Sequence, residues 1–306
     1  MPSVQANGLT FECEALGDPG DPVILLIMGL GVQMILWPDE FCAMLAARGF
    51  RVIRFDNRDA GLSSQLDHLG APNVTLQYVK YMLHLPLKAP YLIDDMARDT
   101  VALLDALGIP RAHLVGASMG GMIAQNAAAN FPDRVASLTS IMSTTGHRKL
   151  PPPEKRALKA LMQKPAKKGD VAAAAARLKR LLRAIGSQTH PAEEAELSGF
   201  CERHASRAHN PPGQMRQLVA IAASGDRTPV VRRIKAPTLV IHGTEDPLIL
   251  PACGRATAQA VEAGGGSAKL VELEGMGHDL PKPLWPRLVD LIEGHCRAAD
   301  RASTGR

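Results

Sequence analysis

The chain has 306 residues, of which 46% are hydrophobic and 21% are charged. This composition allows a large buried core, which excludes an intrinsically disordered protein and a small disulfide-stapled scaffold. The 35 Lys and Arg residues barely outnumber the 30 Asp and Glu residues, so the formal net charge is only +5. The longest apolar run, 23–30, spans eight residues. A helix that crosses a bilayer needs about 20, so we expect no transmembrane helix.

The N-terminal segment and the cysteines bear on the cellular compartment. The first ten residues have neither a basic region nor an apolar stretch, so we do not expect a signal peptide there. The five cysteines are odd in number, lie far apart and never form a CxxC pair. Reduced thiols in a cytoplasmic protein are the expected state.

Short apolar runs alternate along the chain with amphipathic stretches. The opening segment 8–16 alternates polar and apolar residues and is predicted to form an antiparallel edge strand. Later runs are rich in Val, Ile and Leu, as in strands buried on both faces of a parallel sheet. They lie at 22–29, 51–56, 112–116, 135–143, 237–243 and 268–275. Helices are predicted at 38–48, 94–107, 119–130, 253–264 and 284–298. This repeated order predicts an α/β fold with a mostly parallel sheet and helices on both faces.

The segment 147–235 interrupts this alternation. It contains 19 basic and 7 acidic residues, a net charge of +12, and leaves 16 basic and 23 acidic residues, a net charge of −7, elsewhere. Three prolines near its start precede Ala- and Lys-rich helical stretches. We therefore predict a core formed by 1–146 and 236–298, a helical cap or lid over 147–235, and a flexible tail at 299–306.

The segment around Ser118 carries the most informative motif. The predicted strand 112–116 leads through Gly116-Ala117-Ser118-Met119-Gly120 into a predicted helix. A Gly-x-Ser-x-Gly turn between a strand and a helix exposes the serine hydroxyl, and its crowded backbone requires Gly116 and Gly120. A serine that only caps the helix is the simpler alternative. That alternative would require the partners of a nucleophilic serine to be absent.

A serine hydroxyl becomes a good nucleophile when a histidine removes its proton and a carboxylate orients that histidine. His278 follows the predicted strand 268–275 on a glycine-flanked loop, and Asp246 follows the predicted strand 237–243. Ligands of open α/β sheets bind at the carboxyl ends of the strands. We therefore predict that Ser118, Asp246 and His278 are catalytic.

Other acidic and histidine residues are weaker candidates. Glu245 adjoins Asp246 but should point the other way on a short turn. His242 and His113 lie in predicted buried strands, where a histidine that packs in the core is expected. The sequence contains no HxxxH, HExxH or paired-cysteine pattern, so we predict neither a metal site nor a cofactor.

Acyl chemistry also requires two hydrogen-bond donors for the oxyanion. One is the backbone N–H of Met119, the residue after the serine. The second should come from the loop after the first buried strand, where we select the N–H of Leu30. Gly29 and Gly31 would let this loop approach the serine closely. The same glycines could also end the strand, and the two roles do not exclude each other.

Together these motifs resemble the α/β-hydrolase fold, in which the nucleophile, the acid and the histidine follow in the order Ser, Asp, His. The stretches MGLGVQMILWPDEF, VGASMGGMIAQ, HGTEDPL and GMGHDLP are similar to bacterial esterases of the aclacinomycin methylesterase type. This resemblance implies an eight-stranded, mostly parallel sheet with a cap inserted after strand six. It departs at Met28, where many relatives have histidine. It also implies that the loop beside the site is braced by Asp56, Arg58, Asp59 and Gly61.

A serine at this turn excludes the aspartate-dependent dehalogenases and epoxide hydrolases of the fold. The resemblance implies a carboxylesterase that cleaves small to medium esters through an acyl-enzyme intermediate. Acyltransferase, perhydrolase, lactonase and amidase activities of the same three residues stay open as alternatives, as does a non-catalytic ligand-binding protein. The expected pocket residues are Trp37, Tyr78, Tyr81 and Phe200.

The expected partner is a small-molecule ester. The segment 148–183 has 12 basic and 2 acidic residues, but it has no aromatic residue that could stack on bases, so nucleic acid is not an expected partner. A stable membrane association is not expected either, and a homodimer is left open. The basic excess of the cap is instead expected to draw it to the acidic body or to attract anionic esters.

Overall fold

The central sheet of the protein is seen in a computed structural model that describes residues 3–83 and 85–304. The strands are β1 Val4–Ala6, β2 Leu9–Phe11, β3 Cys13–Leu16, β4 Val23–Ile27, β5 Arg51–Phe55, β6 Ala112–Ala117, β7 Val135–Ile141, β8 Thr238–Gly243 and β9 Ala268–Leu273. Strands β3 to β9 form one sheet in the order β3-β5-β4-β6-β7-β8-β9. Only β3 runs antiparallel to its neighbour. The predicted α/β fold with a mostly parallel sheet is confirmed.

The strand count differs from the expectation. Among the described residues this sheet has seven strands, so the expected eight-stranded sheet is wrong, and β1 and β2 pair with each other in a separate hairpin. Residues 10–12, at the junction of β2 and β3, contact the loop after β5. The N–H of Thr10 donates to Ser64 Oγ over 2.8 Å, and the N–H of Glu12 donates to Ser63 Oγ over 2.9 Å. The segment 147–235 consequently follows β7, the fifth strand of this sheet and not the sixth.

Strand β4 illustrates how the sheet organises the core. All five of its residues are buried. Leu25 and Ile27 pack into the apolar layer that contains residues of α3 and α4, whereas Ile24 and Leu26 pack into the layer on the opposite face. Successive side chains of a strand point to opposite faces, so a strand covered on both sides reads as a continuous apolar run.

The helices flank this sheet or belong to the segment 147–235. They are α1 Asp39–Ala46, α2 Val74–Met82, α3 Ile93–Ala106, α4 Met119–Asn130, α5 Lys155–Leu161, α6 Val171–Ile185, α7 Glu194–Arg207, α8 Pro211–Ser224, α9 Thr228–Val231, α10 Pro251–Ala263 and α11 Trp285–Thr304. The five helices predicted outside 147–235 are confirmed. Helix α2 is not predicted by the sequence pattern, because none of its residues is buried. Within the described ranges, no helix is long and apolar enough to span a bilayer.

Helix α11 extends beyond its predicted end. It continues to Thr304, so the expected flexible tail is helical over 299–304, and residues 305–306 lie outside the described residues. Ala299 is buried. Asp300 Oδ1 lies 3.2 Å from Nε2 of the buried His113. These contacts fasten the end of α11 to the sheet.

The segment 147–235, here called the helical insert, contains α5 to α9 and is joined to the body by buried ion pairs. Arg216 is fully buried and donates to both carboxylate oxygens of Asp59, over 2.8 and 2.7 Å. Arg207 donates to Asp56 over 2.7 Å. The Tyr91 hydroxyl also donates to Asp59 over 2.8 Å. Basic side chains of the insert therefore bind acidic side chains of the body.

Substitution of Arg216 by methionine is expected to lower the free energy of unfolding by about 3–5 kcal/mol. The variant leaves the carboxylate of Asp59 buried without its charged partner. Urea unfolding measures the difference, with Arg232→Met as a control because Arg232 is exposed. A loss below about 1 kcal/mol, the size typical of a surface substitution, would contradict a stabilising role for this ion pair.

His204 makes a second buried contact between the insert and the body. The N–H of Gln33 donates to His204 Nε2 over 3.1 Å, which requires a neutral imidazole. Burial, together with the charge of Arg207, lowers the pKa of His204 to about 4, compared with about 6.5 in an unfolded chain. Between these two values the unfolded chain binds a proton that the folded chain does not. The contribution of His204 to the free energy of unfolding is therefore fully present above about pH 6.5 and is lost as the pH falls towards 4.

We expect His204 to reduce the free energy of unfolding by about 2 kcal/mol between pH 7 and pH 5. His204→Gln should remove this part of the pH dependence, because glutamine does not titrate and still offers an oxygen to the N–H of Gln33. Urea unfolding of both proteins at several pH values isolates the difference. The exposed His68 provides the control variant His68→Gln. Parallel pH curves for the wild type and His204→Gln would count against this assignment.

Candidate active site

Ser118 lies on a tight turn between β6 and α4. Its backbone has φ 57° and ψ −120°, a conformation that costs a non-glycine residue about 1–3 kcal/mol. A Cβ atom at Gly116 would lie 2.2 Å from the carbonyl oxygen of Gly120, and one at Gly120 would lie 2.0 Å from that of Ile27. Only glycine fits at these two positions, as the motif predicts.

The structure brings Ser118, His278 and Asp246 together at the carboxyl ends of β6, β9 and β8. His278 Nε2 lies 3.0 Å from Ser118 Oγ, and His278 Nδ1 lies 2.8 Å from Asp246 Oδ2. Asp246 is 2% exposed and His278 is 8% exposed, so the hydrogen bond between them is shielded from water, whereas the bond to Ser118 is only partly buried. This geometry allows the imidazole to take a proton from the hydroxyl while the carboxylate holds the ring.

Asp246 is held on its other oxygen by the backbone. Its Oδ1 accepts hydrogen bonds from the N–H groups of Leu248 and Ile249, each over 2.9 Å. Burial raises the pKa of Asp246, but the charge of His278 and the hydrogen bonds from His242 and His278 outweigh burial, so this pKa lies below the usual range. The carboxylate therefore stays ionised at neutral pH.

The weaker candidates bind groups other than Ser118. Glu245 points towards the insert, where it accepts hydrogen bonds from the N–H groups of Gln188 and Thr189 over 2.8 and 3.1 Å. His242 is fully buried and donates to the carbonyl oxygen of Ile249 over 2.6 Å. Its Nε2 also lies 3.5 Å from Asp246 Oδ2, which the sequence pattern does not indicate.

The loop after β4 lies against the serine. A Cβ atom at Gly29 would be 3.2 Å from Ser118 Cβ and 3.6 Å from its Oγ. The N–H of Gly31 is already engaged, since it donates to Gln217 Oε1 over 2.8 Å. Met119 begins α4, and the first N–H groups of a helix have no partner within it. The positions of Leu30 and Met119 are thus compatible with the predicted oxyanion hole.

The loop after β5 braces this region as the resemblance implies. Asp56 accepts hydrogen bonds from the N–H groups of Met34 and Leu62 over 2.7 and 2.9 Å. Arg58 donates to Asp99 over 2.6 Å. Gly61 has φ 56°, and a Cβ atom there would meet the carboxylate of Asp56 at 2.0 Å. These contacts support the loop.

Two further supporting contacts were not expected from the sequence. Ser143, which follows β7, donates from its hydroxyl to the carbonyl oxygen of Ser118 over 2.8 Å. Asp279 accepts from the N–H of Ser187 in the insert over 3.1 Å, and the Ser187 hydroxyl in turn accepts from the N–H of Gly277 over 2.7 Å. The insert therefore holds the loop that carries the histidine. Single serines on loops carry no motif that would have identified them.

A cavity of about 2250 Å³ opens above Ser118 and His278. Tyr78, Tyr81 and Phe200 line it. Trp37 does not: it is fully buried and stacks on Phe41 with ring centroids 5.9 Å apart. The expectation for Trp37 is wrong because its ring fills the core behind the loop.

The volume of the cavity is also larger than a small to medium ester requires. Sites for drug-sized ligands usually measure about 300–1,000 Å³. Leu, Ile, Met and Pro side chains form much of the wall. The described residues include no group of three or more His, Cys, Asp or Glu side chains that could hold a metal ion. The space and its apolar wall suit a bulky apolar group.

Comparisons with known proteins agree with this architecture. The profile of the alpha/beta hydrolase fold family matches residues 22–281. Rhodomycin D methylesterase DauP from Streptomyces sp. strain C5 is 32% identical, with 97% of this chain and 98% of the relative covered. The corresponding DnrP from Streptomyces peucetius is 31% identical over 95% of this chain and 96% of the relative. The enol-lactonase structure from Burkholderia xenovorans LB400 is 26% identical, covers 95% of this chain and 99% of its own, and has a TM-score of 0.70. The chain therefore belongs to the α/β-hydrolase fold family, and its expected similarity to methylesterases of the aclacinomycin type is confirmed.

Proposed function

We propose that this protein hydrolyses carboxylic esters through an acyl-enzyme intermediate. The observation that carries the proposal is the hydrogen-bonded series from Ser118 Oγ through His278 to Asp246, with distances of 3.0 and 2.8 Å. A nucleophilic serine requires such a series. Similarity over nearly the whole chain to two proteins named methylesterases supports the ester bond as the target.

In the proposed reaction, Ser118 Oγ attacks the ester carbonyl carbon and its proton passes to His278 Nε2. The carbonyl oxygen becomes negatively charged and accepts hydrogen bonds from the N–H groups of Met119 and Leu30. The C–O bond then breaks, and His278 returns the proton to the departing alcohol. Water attacks the acyl-enzyme with His278 as base, which releases the acid and restores Ser118.

We further propose that the substrate joins a small alcohol, such as methanol, to a large apolar acid. The two relatives are named for the removal of a methyl group from an ester. The cavity of about 2250 Å³ has space for an acyl group well above the small to medium size expected from the sequence. The apolar wall would stabilise such a group by removing its surface from water.

A panel of methyl esters tests this proposal. We expect kcat/KM to rise at least about tenfold from methyl acetate to the methyl ester of a polycyclic aromatic acid, because each buried CH₂ contributes about 0.8 kcal/mol. Matched ethyl and butyl esters of the same large acid should react more slowly than the methyl ester. Failure of the wild type to hydrolyse any ester in the panel would reject the proposed activity.

Lactone hydrolysis is a second candidate, supported by the similarity to the enol-lactonase structure, at 26% identity. A lactone is an internal ester, and the same three side chains would open it without releasing a separate alcohol. Lactones of matched size are therefore included in the panel. A kcat/KM for a lactone above that for every methyl ester would favour this second activity.

We also propose a cytoplasmic location. All five cysteines are buried and none forms a disulfide. Unpaired thiols are typical of proteins in a reducing compartment. Fractionation of the native host, followed by detection with an antibody, would test this location.

A further inference from the structure

Helix α2 and the residues after it present an unusual apolar surface. None of the nine residues of α2 is buried. The exposed large side chains at 76–85, here called the apolar patch, are Leu76, Tyr78, Val79, Tyr81, Met82, Leu83 and Leu85, with exposures of 40–63%. Leu158 and Met162, at 37% and 44%, are further exposed apolar residues of the insert. Contiguous apolar surface of this kind marks an interaction site on a folded protein.

Helix α2 also buries little of the apolar surface that stabilises a short helix. Isolated helices shorter than about 12–15 residues are marginal in water, and most helices in proteins are stabilised by burial of an apolar face. Helix α2 packs against α8, but its Leu76, Tyr78, Val79, Tyr81 and Met82 stay exposed. A surface that covers these side chains would supply the missing burial.

Basic side chains lie next to the apolar patch. The guanidinium of Arg148 stands 5.4 Å from the centroid of the Tyr81 ring. Lys168 Nζ forms an ion pair over 3.3 Å with Asp67, which precedes α2 by a short loop. Both belong to the segment 148–183, with its 12 basic and 2 acidic residues. An apolar surface beside an excess of positive charge complements an anionic lipid surface.

The same charge disfavours a second copy of the chain as the occupant. Two identical patches would bring two basic segments together, and like charges in contact oppose association. The apolar patch is also continuous with the cavity, because Tyr78, Tyr81 and Met82 line the cavity as well. A surface that covers the patch therefore lies at the mouth of the candidate active site.

We propose that the apolar patch docks reversibly on the surface of an anionic lipid bilayer. Leu83 and Leu85 enter the boundary between headgroups and acyl chains, and basic residues of the segment 148–183 face the headgroups. This weak, salt-sensitive docking is compatible with the expectation of no stable membrane association. Entry of an apolar ester from the bilayer into the cavity rests on the proposed function, whereas docking itself does not.

Flotation with vesicles tests the docking without any enzyme assay. We expect the wild-type protein to float with phosphatidylcholine vesicles that contain 30% phosphatidylglycerol at 50 mM NaCl. Binding should fall at least about tenfold at 500 mM NaCl, because salt screens the attraction to the headgroups, and it should be absent with pure phosphatidylcholine. Equal binding to both compositions, or no binding to either, overturns the proposal.

Paired variants separate the apolar and the electrostatic contributions. Leu83→Ser with Leu85→Ser alters the patch beyond the end of α2 and should weaken binding at least about tenfold. The control Leu92→Ser changes an exposed leucine outside the patch.

The electrostatic contribution is tested by a second pair of variants. Lys149→Gln with Lys167→Gln should weaken binding about 25-fold, at about fivefold per charge. Lys235→Gln with Lys269→Gln, which removes two exposed lysines elsewhere, is the matched control and should bind as the wild type does.

Sedimentation of the same proteins without lipid tests whether a second copy of the chain, and not lipid, covers the patch. The wild type and the Leu83→Ser, Leu85→Ser variant should sediment as the same species if the patch binds lipid. A dimer of the wild type that this variant abolishes would assign the patch to a second copy and overturn the proposal. Activity on a water-soluble ester should be equal in both proteins, since neither leucine lines the cavity. Loss of vesicle binding with unchanged activity therefore separates the docking from the proposed function.

Discussion

Replacement of Ser118 by alanine is expected to lower kcat for ester hydrolysis by about 10⁶-fold. The variant lacks the oxygen that attacks the carbonyl carbon, whereas the small side chain of alanine leaves the turn intact. The oxyanion donors and substrate binding would still leave a residual rate about 10³–10⁴ above that in water. His278→Ala should have an effect of similar size, because His278 Nε2 lies 3.0 Å from Ser118 Oγ. Initial rates with a p-nitrophenyl ester measure both losses.

The matched control for the nucleophile is Ser206→Ala. Ser206 lines the same cavity, and it should be replaceable with little change in kcat. Labelling with a fluorophosphonate followed by peptide mass analysis should modify Ser118 in the wild type and in Ser206→Ala. If Ser118→Ala retained a rate within tenfold of the wild type, the nucleophile would have to be another residue.

Asp246→Asn is expected to lower kcat by about 10⁴-fold. Asp246 Oδ1 accepts from the N–H groups of Leu248 and Ile249, so the asparagine must keep its carbonyl oxygen at that position. Its NH₂ group then takes the place of Asp246 Oδ2, which in the wild type lies 2.8 Å from His278 Nδ1. This arrangement forces the proton of the imidazole onto Nε2, which can no longer take the proton of Ser118. Steady-state rates with the best ester of the panel measure the effect.

Glu245→Gln is the control for the carboxylate. Glu245 is the neighbouring acid, and its contacts with Gln188 and Thr189 connect it to the insert. We expect its variant to retain kcat, with any change confined to KM because the insert forms part of the cavity wall. A large loss in Glu245→Gln combined with a small loss in Asp246→Asn would reverse the assignment of the acid.

Much of the candidate site could be predicted from the sequence because short local sequence patterns indicate its residues. A serine between Gly116 and Gly120 predicts a tight turn, since a Cβ atom at either glycine would lie about 2 Å from a backbone oxygen. His278 and Asp246 could be selected because each follows a buried parallel strand, and parallel strands of one sheet end at the same edge. The alternation of apolar runs and amphipathic helices likewise predicted the confirmed α/β fold.

Contacts between segments that are distant in the sequence could not be predicted from such local patterns. Ser143 and Asp279 support the site through bonds that depend on how loops meet, and the size of the cavity depends on where the insert packs. The pocket role expected for Trp37 was wrong because an aromatic side chain near the site can equally fill the core, and only its stacking on Phe41 decides this.

The sequence by itself thus determined the fold class, the strained serine turn and the residue types of the candidate site, because hydrophobic periodicity and backbone sterics are local properties. The tertiary structure alone decided the seven-stranded count, the docking of Arg216 on Asp59 and the exposure of α2. These features depend on which surfaces meet after the chain has folded. The net charge of +5 illustrates the difference, since it sums two unlike regions whose opposite charges meet in buried ion pairs.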